Sequence, residues 1–392
     1  MIWIQNAALC LWLLNLVLLL SGSVWAWWWV RKAPLIDLID QPPVSILKPL
    51  KGVDPGLASS LESFLNLKYP KYEVIFSVAD ARDPAVKVVT ELLSRYPNAP
   101  AQLIIGEAIV GANPKVNNLI RPMEMASYDQ ILISDSYIRA SPDYIQHLLQ
   151  PSRPNVGVVT GLRRGREGQG LGGRLEELHI NCFYIRWQLL AQLFRMDFVI
   201  GSSMLFQRSF ADKFGGLRAL ADHGSEDYAF GLATKRYGKK VGMTRTPVTQ
   251  YIGEKSLSEF WQRHRRWSAL RKYAAPGVFY IEWQHSMFIV AALGGIGIAN
   301  LGPAYSLFAA LATALLWMLC DMSVLKAIDG AKLDPLLWLL KEFLLPLNWL
   351  HAAFSRHINW RGNRLRIKSG GWVQAIDADE AANKRWVPVT ES

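Results

Sequence analysis

Apolar positions along this chain fall into two kinds of pattern. No charged residue interrupts Ala7–Val30, and the run stops at Arg31-Lys32. A helix of that length spans a hydrocarbon core of about 30 Å. Trp25, Trp27, Trp28 and Trp29 stand where an interfacial aromatic belt would stand. A cleaved signal peptide is the weaker reading, because no basic segment precedes the run and the apolar part is too long. A second apolar region, Ser286–Cys320, is broken by Gly294-Gly295, Asn300 and Gly302-Pro303. It predicts two short or tilted spans in a hairpin. A third block, Leu336–Phe354, carries Lys341 and Glu342. Charges are costly in mid-bilayer, so an interfacial or re-entrant helix stands beside a span as its reading.

Between these blocks the pattern shortens. Val44–Leu47, Val74–Val78, Leu103–Ile105, Ile131–Ile133 and Val156–Thr160 are apolar runs of buried-strand type. Helix-like segments near Gly56–Leu65, Pro84–Ser94 and Lys115–Met125 separate the first four. Alternation of this kind predicts an α/β fold with a parallel sheet wound by helices. Ligands of such sheets bind at the carboxyl ends of the strands. That rule selects Pro49-Leu50-Lys51-Gly52, Asp80 and Ser134-Asp135-Ser136.

The formal charge is +11, which points to nucleic acid or anionic lipid as partner. The apolar blocks decide for the lipid bilayer and against nucleic acid. Arg31-Lys32 place the following domain in the cytoplasm by the positive-inside rule. The basic residues Arg356, Arg361, Arg364, Arg366 and Lys368 place the C-terminus there too. Cys10, Cys182 and Cys320 are scattered, with neither disulfide nor zinc spacing. Asp377–Ser392 is polar and expected to be mobile.

Candidate chemistry lies at six places. In Gln262-Arg263-His264-Arg265-Arg266-Trp267, the arginines supply planar forks suited to a diphosphate. Helical spacing of Leu257, Phe260, Trp261, Trp267 and Leu270 equally suits a basic helix lying on anionic lipid. Asp80 is either a nucleotide contact or a turn residue, and Asp83 before Pro84 is a natural helix cap. Asp143 is read as a cap as well. Asp135, between two serines at a strand end, is placed for a ligand or metal, or for a turn. Lys115, in Gly111–Asn118, opens a helix whose N-terminus suits an anion, although an ordinary loop is the slightly better reading. Gly201-Ser202-Ser203-Met204 allows close approach of a sugar or marks a strand bend. Asp227, in His223–Tyr228, is a general base or only a partner of the helix dipole. Gly168–Gly173 imitates a dinucleotide loop without following a strand, and is read as a flexible loop carrying Arg163, Arg164 and Arg166.

The order of these pieces carries more than any one of them. Lys-Pro-Leu-Lys-Gly, Ala-Asp-Ala-Arg-Asp-Pro-Ala, Asn-Pro-Lys-Val-Asn-Asn-Leu, Ser-Asp-Ser, Glu-Asp-Tyr and Arg-His-Arg-Arg-Trp resemble, in sequence, the ceramide glucosyltransferase family. The similarity runs from about Pro43 to Lys272 and continues in Trp360–Leu365. Bacterial members, including hopanoid-lipid sugar transferases, are resembled equally. The resemblance implies a GT-A-type Rossmann-like mixed sheet with an N-terminal transmembrane helix and C-terminal membrane or interfacial helices. It implies Asp80 at the nucleoside, Asp135 near the diphosphate and a metal, Asp227 as base, and Arg263, Arg266 and Trp267 in the family's arginine-tryptophan motif. Lys115 and Lys51 join the donor site. The wider superfamily's Asp-x-Asp signature would want an acid at Tyr137. Its absence weakens tight metal binding, while magnesium or manganese still fits the diphosphate chemistry.

The expected organisation is a membrane helix over 1–32, a cytoplasmic catalytic domain over 33–255 and an interfacial helix over 256–283. A membrane hairpin with an interfacial or re-entrant helix follows over 284–355, and a basic cytoplasmic tail over 356–392. The expected activity is inverting transfer of one sugar from a UDP-sugar to a membrane-lipid hydroxyl, ceramide before hopanoid, the latter with an N-acetylglucosamine-type donor. A multi-pass bacterial inner-membrane protein with no obligatory protein partner is implied. A processive polysaccharide synthase would need more membrane helices around a channel. A non-catalytic scaffold would not need all three aspartates.

Overall fold

A computed structural model of the chain describes residues 2–31, 40–196 and 198–376. Lys32 and the polar segment Asp377–Ser392 lie outside the described residues. The main sheet holds seven strands. β1 (Val44–Leu50), β2 (Tyr72–Val78), β3 (Ala101–Ile105) and β4 (Gln130–Ser134) come before the short β5 (Ile138–Arg139). β6 (Val156–Thr160), β7 (Arg163–Gln169), β8 (Ser203–Gln207), β9 (Lys240–Met243) and β10 (Val248–Glu254) follow. The order across the sheet is β3-β2-β1-β4-β8-β6-β9. β1 pairs in parallel with β2 and β4, whereas β8 runs antiparallel to both β4 and β6. The sheet is therefore mixed, as the family resemblance implies, with the parallel pairing expected from helix-strand alternation in β3-β2-β1-β4 and again between β6 and β9. A second sheet, β5-β10-β7, lies beside it. The third, β11 (His357–Trp360), β12 (Asn363–Ile367) and β13 (Val373–Ala375), is antiparallel.

Helices begin where the chain supplies caps. α1 (Ile2–Arg31) is followed by α2 (Leu57–Glu62) and by α3 (Pro84–Arg95), which Asp83 caps by accepting from the Ala85 N–H at 2.9 Å. α4 (Pro114–Met125) is capped by Asn113, and α5 (Tyr144–Leu149) follows Asp143. Asp143 makes no side-chain cap bond and instead pairs with His147 at 3.0 Å, so its expected capping role is not what the structure has. α6 (Gly170–His179) starts directly on the end of β7. The expected flexible loop is thus a strand running into a helix. Its glycines are needed because Cβ atoms at Gly168, Gly172 and Gly173 would fall within 2.5 Å of backbone oxygens. β7 keeps its polar residues extended by pairing with β10 from Arg163↔Val248 to Gln169↔Glu254.

α7 (Ile185–Leu193), α8 (Arg208–Ala211) and α9 (Glu226–Arg236) complete the helices before α10 (Leu257–Ala274). α10 opens with a reciprocal capping box, Ser256 Oγ accepting from Glu259 N–H and Glu259 accepting from Ser256 N–H. α11 (Pro276–Gln284) turns back from it, followed by α12 (Met287–Gly297), α13 (Pro303–Ala327) and α14 (Pro335–Ala353). α1 and α13 are long and apolar enough to cross a membrane, and α12 is a shorter apolar helix. Gly294 and Gly297 of α12 let Trp12 and Leu9 of α1 approach to within 2.8 Å of where a Cβ would sit.

The charges in the third apolar block are paired. Lys341 Nζ lies 2.7 Å from Glu342 and 3.2 Å from Asp321 of α13. Asp321 also accepts from Trp338 Nε1 at 2.9 Å and pairs with Arg186 of α7. All four ionic side chains are buried.

The segment expected as a basic tail folds back. Gly224 N–H donates to Gly371 O at 2.9 Å, and Arg361 reaches Asp54 Oδ2 at 2.9 Å.

Candidate active site

A cavity of about 860 Å³ opens at the carboxyl ends of β1 and β4, where Lys51 and Asp135 line it. The start of α4, the start of α9 and one face of α10 bring further polar residues to it. The α10 face follows helical geometry. Arg263, then Arg266 and Trp267, then Leu270 and Arg271, then Ala274 recur at three- to four-residue intervals and all line the cavity. The consecutive basic run therefore splits. His264 is buried in a ring cluster, 4.7 Å from His179 and 4.5 Å from Phe260 between centroids. Arg265 donates to Ser355 Oγ at 3.2 Å. Only Arg263 and Arg266 of the run turn inward.

Asn113 fixes the α4 end by accepting from the N–H groups of Lys115 (2.9 Å) and Val116 (3.2 Å). This places Lys115 Nζ 2.9 Å from Asp135 Oδ1, 2.9 Å from Glu226 Oε1 and 3.0 Å from Gly201 O. All three ammonium hydrogens thus have acceptors. The remaining carboxylate oxygens are also held. Tyr137 OH donates to Asp135 Oδ2 at 2.5 Å, and Asn113 Nδ2 to Glu226 Oε2 at 3.1 Å. Burial works against both ionised partners, yet Lys115 stays above its usual range and Asp135 below its own, each held by the other's charge. Buried Lys48 adds a bond to the Asp135 carbonyl at 2.9 Å.

Asp227 occupies the second position of α9. Its Oδ1 accepts from Tyr228 N–H at 2.8 Å and its Oδ2 from Gly201 N–H at 2.6 Å. A carboxylate has about four acceptor directions, so each oxygen can still receive a proton from a ligand. Burial, with neighbouring Glu226 adding to it, pushes the carboxyl up to about 6. An acid poised there suits general-base work near neutrality.

Charge on the cavity lining is unbalanced. Eight Lys and Arg side chains face five Asp and Glu, a surplus of three positive charges. Arg263 lies 3.5 Å from buried Glu176 and over the rings of Tyr137 (4.9 Å) and Trp267 (5.0 Å). Arg163, expected in a loop, is buried on β7 with its guanidinium 4.8 Å over Trp267. Arg266 has no carboxylate within ion-pair distance among the described residues and lies 5.1 Å over Trp360. Burial, then Arg263 beside it, lowers its guanidinium to about 10. A half-buried cation with no carboxylate partner suits an anion.

Of the residues selected from sequence, Lys51, Lys115, Asp135, Asp227, Arg263, Arg266 and Trp267 meet around this one cavity. Asp80 follows β2 but is half exposed, ion-paired with Arg82 at 2.7 Å, with its neighbour Ala79 on the lining. Sequence reasoning passed over Glu176 and the Asn113 side chain, whose partners Arg263 and Glu226 are distant in the chain, and over the Tyr137 hydroxyl, which holds Asp135 two residues before it. The lining also carries apolar residues, Leu190, Ala191, Phe194 and Phe198 from one segment and Val278 and Ile281 from α11.

Comparison with known proteins agrees with this geometry. Residues 10–373 match the family model for glycosyl transferase family 21. Ceramide glucosyltransferase 1 of Caenorhabditis elegans is 28% identical over 342 residues, covering 85% of this chain and 73% of that protein. Ceramide glucosyltransferase of Candida albicans is 22% identical, covering 83% of this chain and 86% of its own. Among solved structures, the mannosyltransferase PcManGT from Pyrobaculum calidifontis, in complex with GDP-Man and Mn2+, superposes with a TM-score of 0.52 at 14% identity. The superposition covers 88% of this chain and 97% of that one, and it carries the fold alone. The chain belongs to glycosyl transferase family 21 and is a glycosyltransferase of GT-A-type fold.

Proposed function

We propose that this enzyme moves one sugar from a UDP-sugar to the hydroxyl of a membrane lipid, with inversion, and that ceramide is the first acceptor and a hydroxylated hopanoid the second. The observation that carries this reading is a single cavity with surplus positive charge at the strand ends and an apolar wall beside it. A diphosphate suits the first part and a lipid suits the second. A soluble sugar would gain nothing from apolar walls.

Asp227 takes the acceptor proton. The freed oxygen attacks the anomeric carbon from the face opposite UDP, and the bond to the β-phosphate oxygen breaks with its electron pair. Arg263 and Arg266 offset the charge that develops on UDP. Asp80 and Lys51 belong to the donor end in this reading, and Trp267 packs near the sugar or acceptor. The donor set suits magnesium or manganese only as an ion shared with the diphosphate, because both side-chain oxygens of Asp135 are already engaged and among the described residues no three acids, histidines or cysteines converge. Asp135 would hold such an ion once Lys115 turned to the phosphates, and the ion would add positive charge at the leaving group.

The soluble part faces the cytoplasm in this reading, supported by Arg31-Lys32 after the first apolar helix. The test is incubation of purified protein with a panel of UDP-sugars and either ceramide or a hydroxylated hopanoid in vesicles, with mass spectrometry of the lipid product. Glycosylated ceramide is expected. Sugar appearing only on soluble glycans would overturn the lipid reading.

A further inference from the structure

One charged pair interrupts the apolar wall of the cavity. Arg271, near the end of α10, and Glu282, on α11, join across the turn between the two helices. Their side chains are 21% and 8% exposed, and both line the cavity. Arg271 Nη2 also donates to Tyr184 OH at 3.3 Å, and the Tyr184 ring stands edge-on to Trp267 at 5.6 Å. The pair is thus tied to the same α10 face that carries Arg263 and Arg266. Around it the lining is largely apolar, with Leu190 and Phe194 from the α7 side and Val278 and Ile281 from α11. Phe194 and Met196 of that lining are also exposed. Apolar side chains exposed beside a cavity, on a chain with membrane-length helices, suit contact with lipid.

A wall built only to hold acyl chains gains nothing from an ion pair. Desolvating two charges costs more than replacing them with apolar side chains of similar volume. Burial already raises the Glu282 carboxyl against the pull of Arg271. Such a pair is useful where a ligand brings a polar group into the apolar wall, since the carboxylate accepts and the guanidinium donates.

We propose that Arg271 and Glu282 recognise a second hydrogen-bonding group of the lipid acceptor, an amide or hydroxyl beside the hydroxyl that is glycosylated, and so select amide-bearing lipids over lipids whose only donor is the attacked hydroxyl. The inference rests on the lipid-acceptor reading above and narrows its acceptor class. The plain alternative is a staple that only holds α11 against α10.

The experiment compares the full-length enzyme with Glu282→Gln and Arg271→Lys in vesicles containing ceramide or diacylglycerol, the latter having a primary hydroxyl but no amide. Three quantities are read: KM and kcat for each lipid, UDP release without acceptor, and thermal unfolding. The unaltered enzyme should prefer ceramide. Glu282→Gln should reduce that preference about tenfold or more, the scale of a lost hydrogen bond to a charged group, through KM for ceramide. Acceptor-free UDP release should fall by less than ceramide transfer does, and Arg271→Lys should keep part of the preference. Equal losses for both lipids, or no preference in the unaltered enzyme, overturn the recognition pair and leave lipid transfer standing. Transfer to soluble glycan and to neither lipid would instead sink the lipid reading itself.

Discussion

Gly201 and Asp227 are fitted to each other. The Gly201 N–H donates to Asp227 Oδ2 at 2.6 Å, and a Cβ at position 201 would lie 2.9 Å from that same oxygen. The hydrogen bond aims the proposed base, and the missing side chain makes room for it. Gly201→Ala should push the carboxylate aside and lower kcat roughly 10²-fold, the scale of a 1 Å misplacement. UDP-sugar affinity should stay within a few-fold. Steady-state kinetics with calorimetric donor binding checks this, and an unchanged kcat would remove Gly201 from the aiming of Asp227.

The raised Asp227 carboxyl sets a pH dependence. The base must be ionised, so transfer should fall as pH drops below about 6, roughly tenfold per pH unit. For stability the sign is opposite. A carboxyl raised from 3.8 to about 6 binds its proton more tightly in the folded chain, so folding is disfavoured as pH rises through that interval and the penalty is complete above it. Asp227→Asn should therefore abolish transfer yet raise Tm at pH 8, with the gain shrinking toward pH 4. A variant that is inactive and less stable at pH 8 would contradict the burial argument.

Lys115 neutralises Asp135 and Glu226 together. Lys115→Met leaves two buried carboxylates without their cation, a loss of about 3 kcal/mol or more by analogy with other broken buried pairs. Adding Glu226→Gln should recover part of that stability and none of the activity. Thermal unfolding of the single and double variants reads the first effect, and sugar transfer the second. Equal Tm values for all three proteins would mean the site is wetter than its burial indicates.

Arg266 separates charge from shape. Arg266→Lys keeps the charge and loses the planar fork. It should lower kcat roughly tenfold, and Arg266→Ala roughly 10²-fold, the range of a lost electrostatic contact to a leaving group. Normal transfer by both variants would leave the basic run as a membrane anchor only.

Much of the fold was legible because it depends on local patterns. The runs at Val44, Val74, Ile131 and Val156 became strands of one sheet, and Ser256–Lys272 became α10 with a capping box at its start. β7 was illegible for a physical reason. Arg163–Gln169 has the composition of a loop, and only its ladder with β10 makes it extended. β8 was hidden likewise, since a strand of five residues after Gly201-Ser202 reads as a bend. In the site, Asp135 and Asp227 stood out by position at a strand end and a helix start, and the arginines as a consecutive basic run. Glu176 did not, because its value comes from Arg263 and Lys255, far along the chain. The split of the basic run between Arg263, Arg266 and the outward Arg265 follows from helix geometry and was available in principle.

The salt-bridged quartet of Arg186, Asp321, Lys341 and Glu342 limits how the molecule can be divided. Arg186 is contributed from within the catalytic half, while its carboxylate partner comes from α13. A fragment ending before Met287 would keep Arg186 and lose both its counter-charge and the α13 helix that packs over it, whereas removing only the Asp321 carboxylate from the whole protein would leave a buried unpaired charge, a penalty of several kcal/mol. The sheet and its cavity are therefore not a portable module to which an anchor was appended. Synthesis of α13 and α14 completes the interior of the first half, so the buried quartet closes only when the helices that follow the cavity-lining residues of α10 have packed against it.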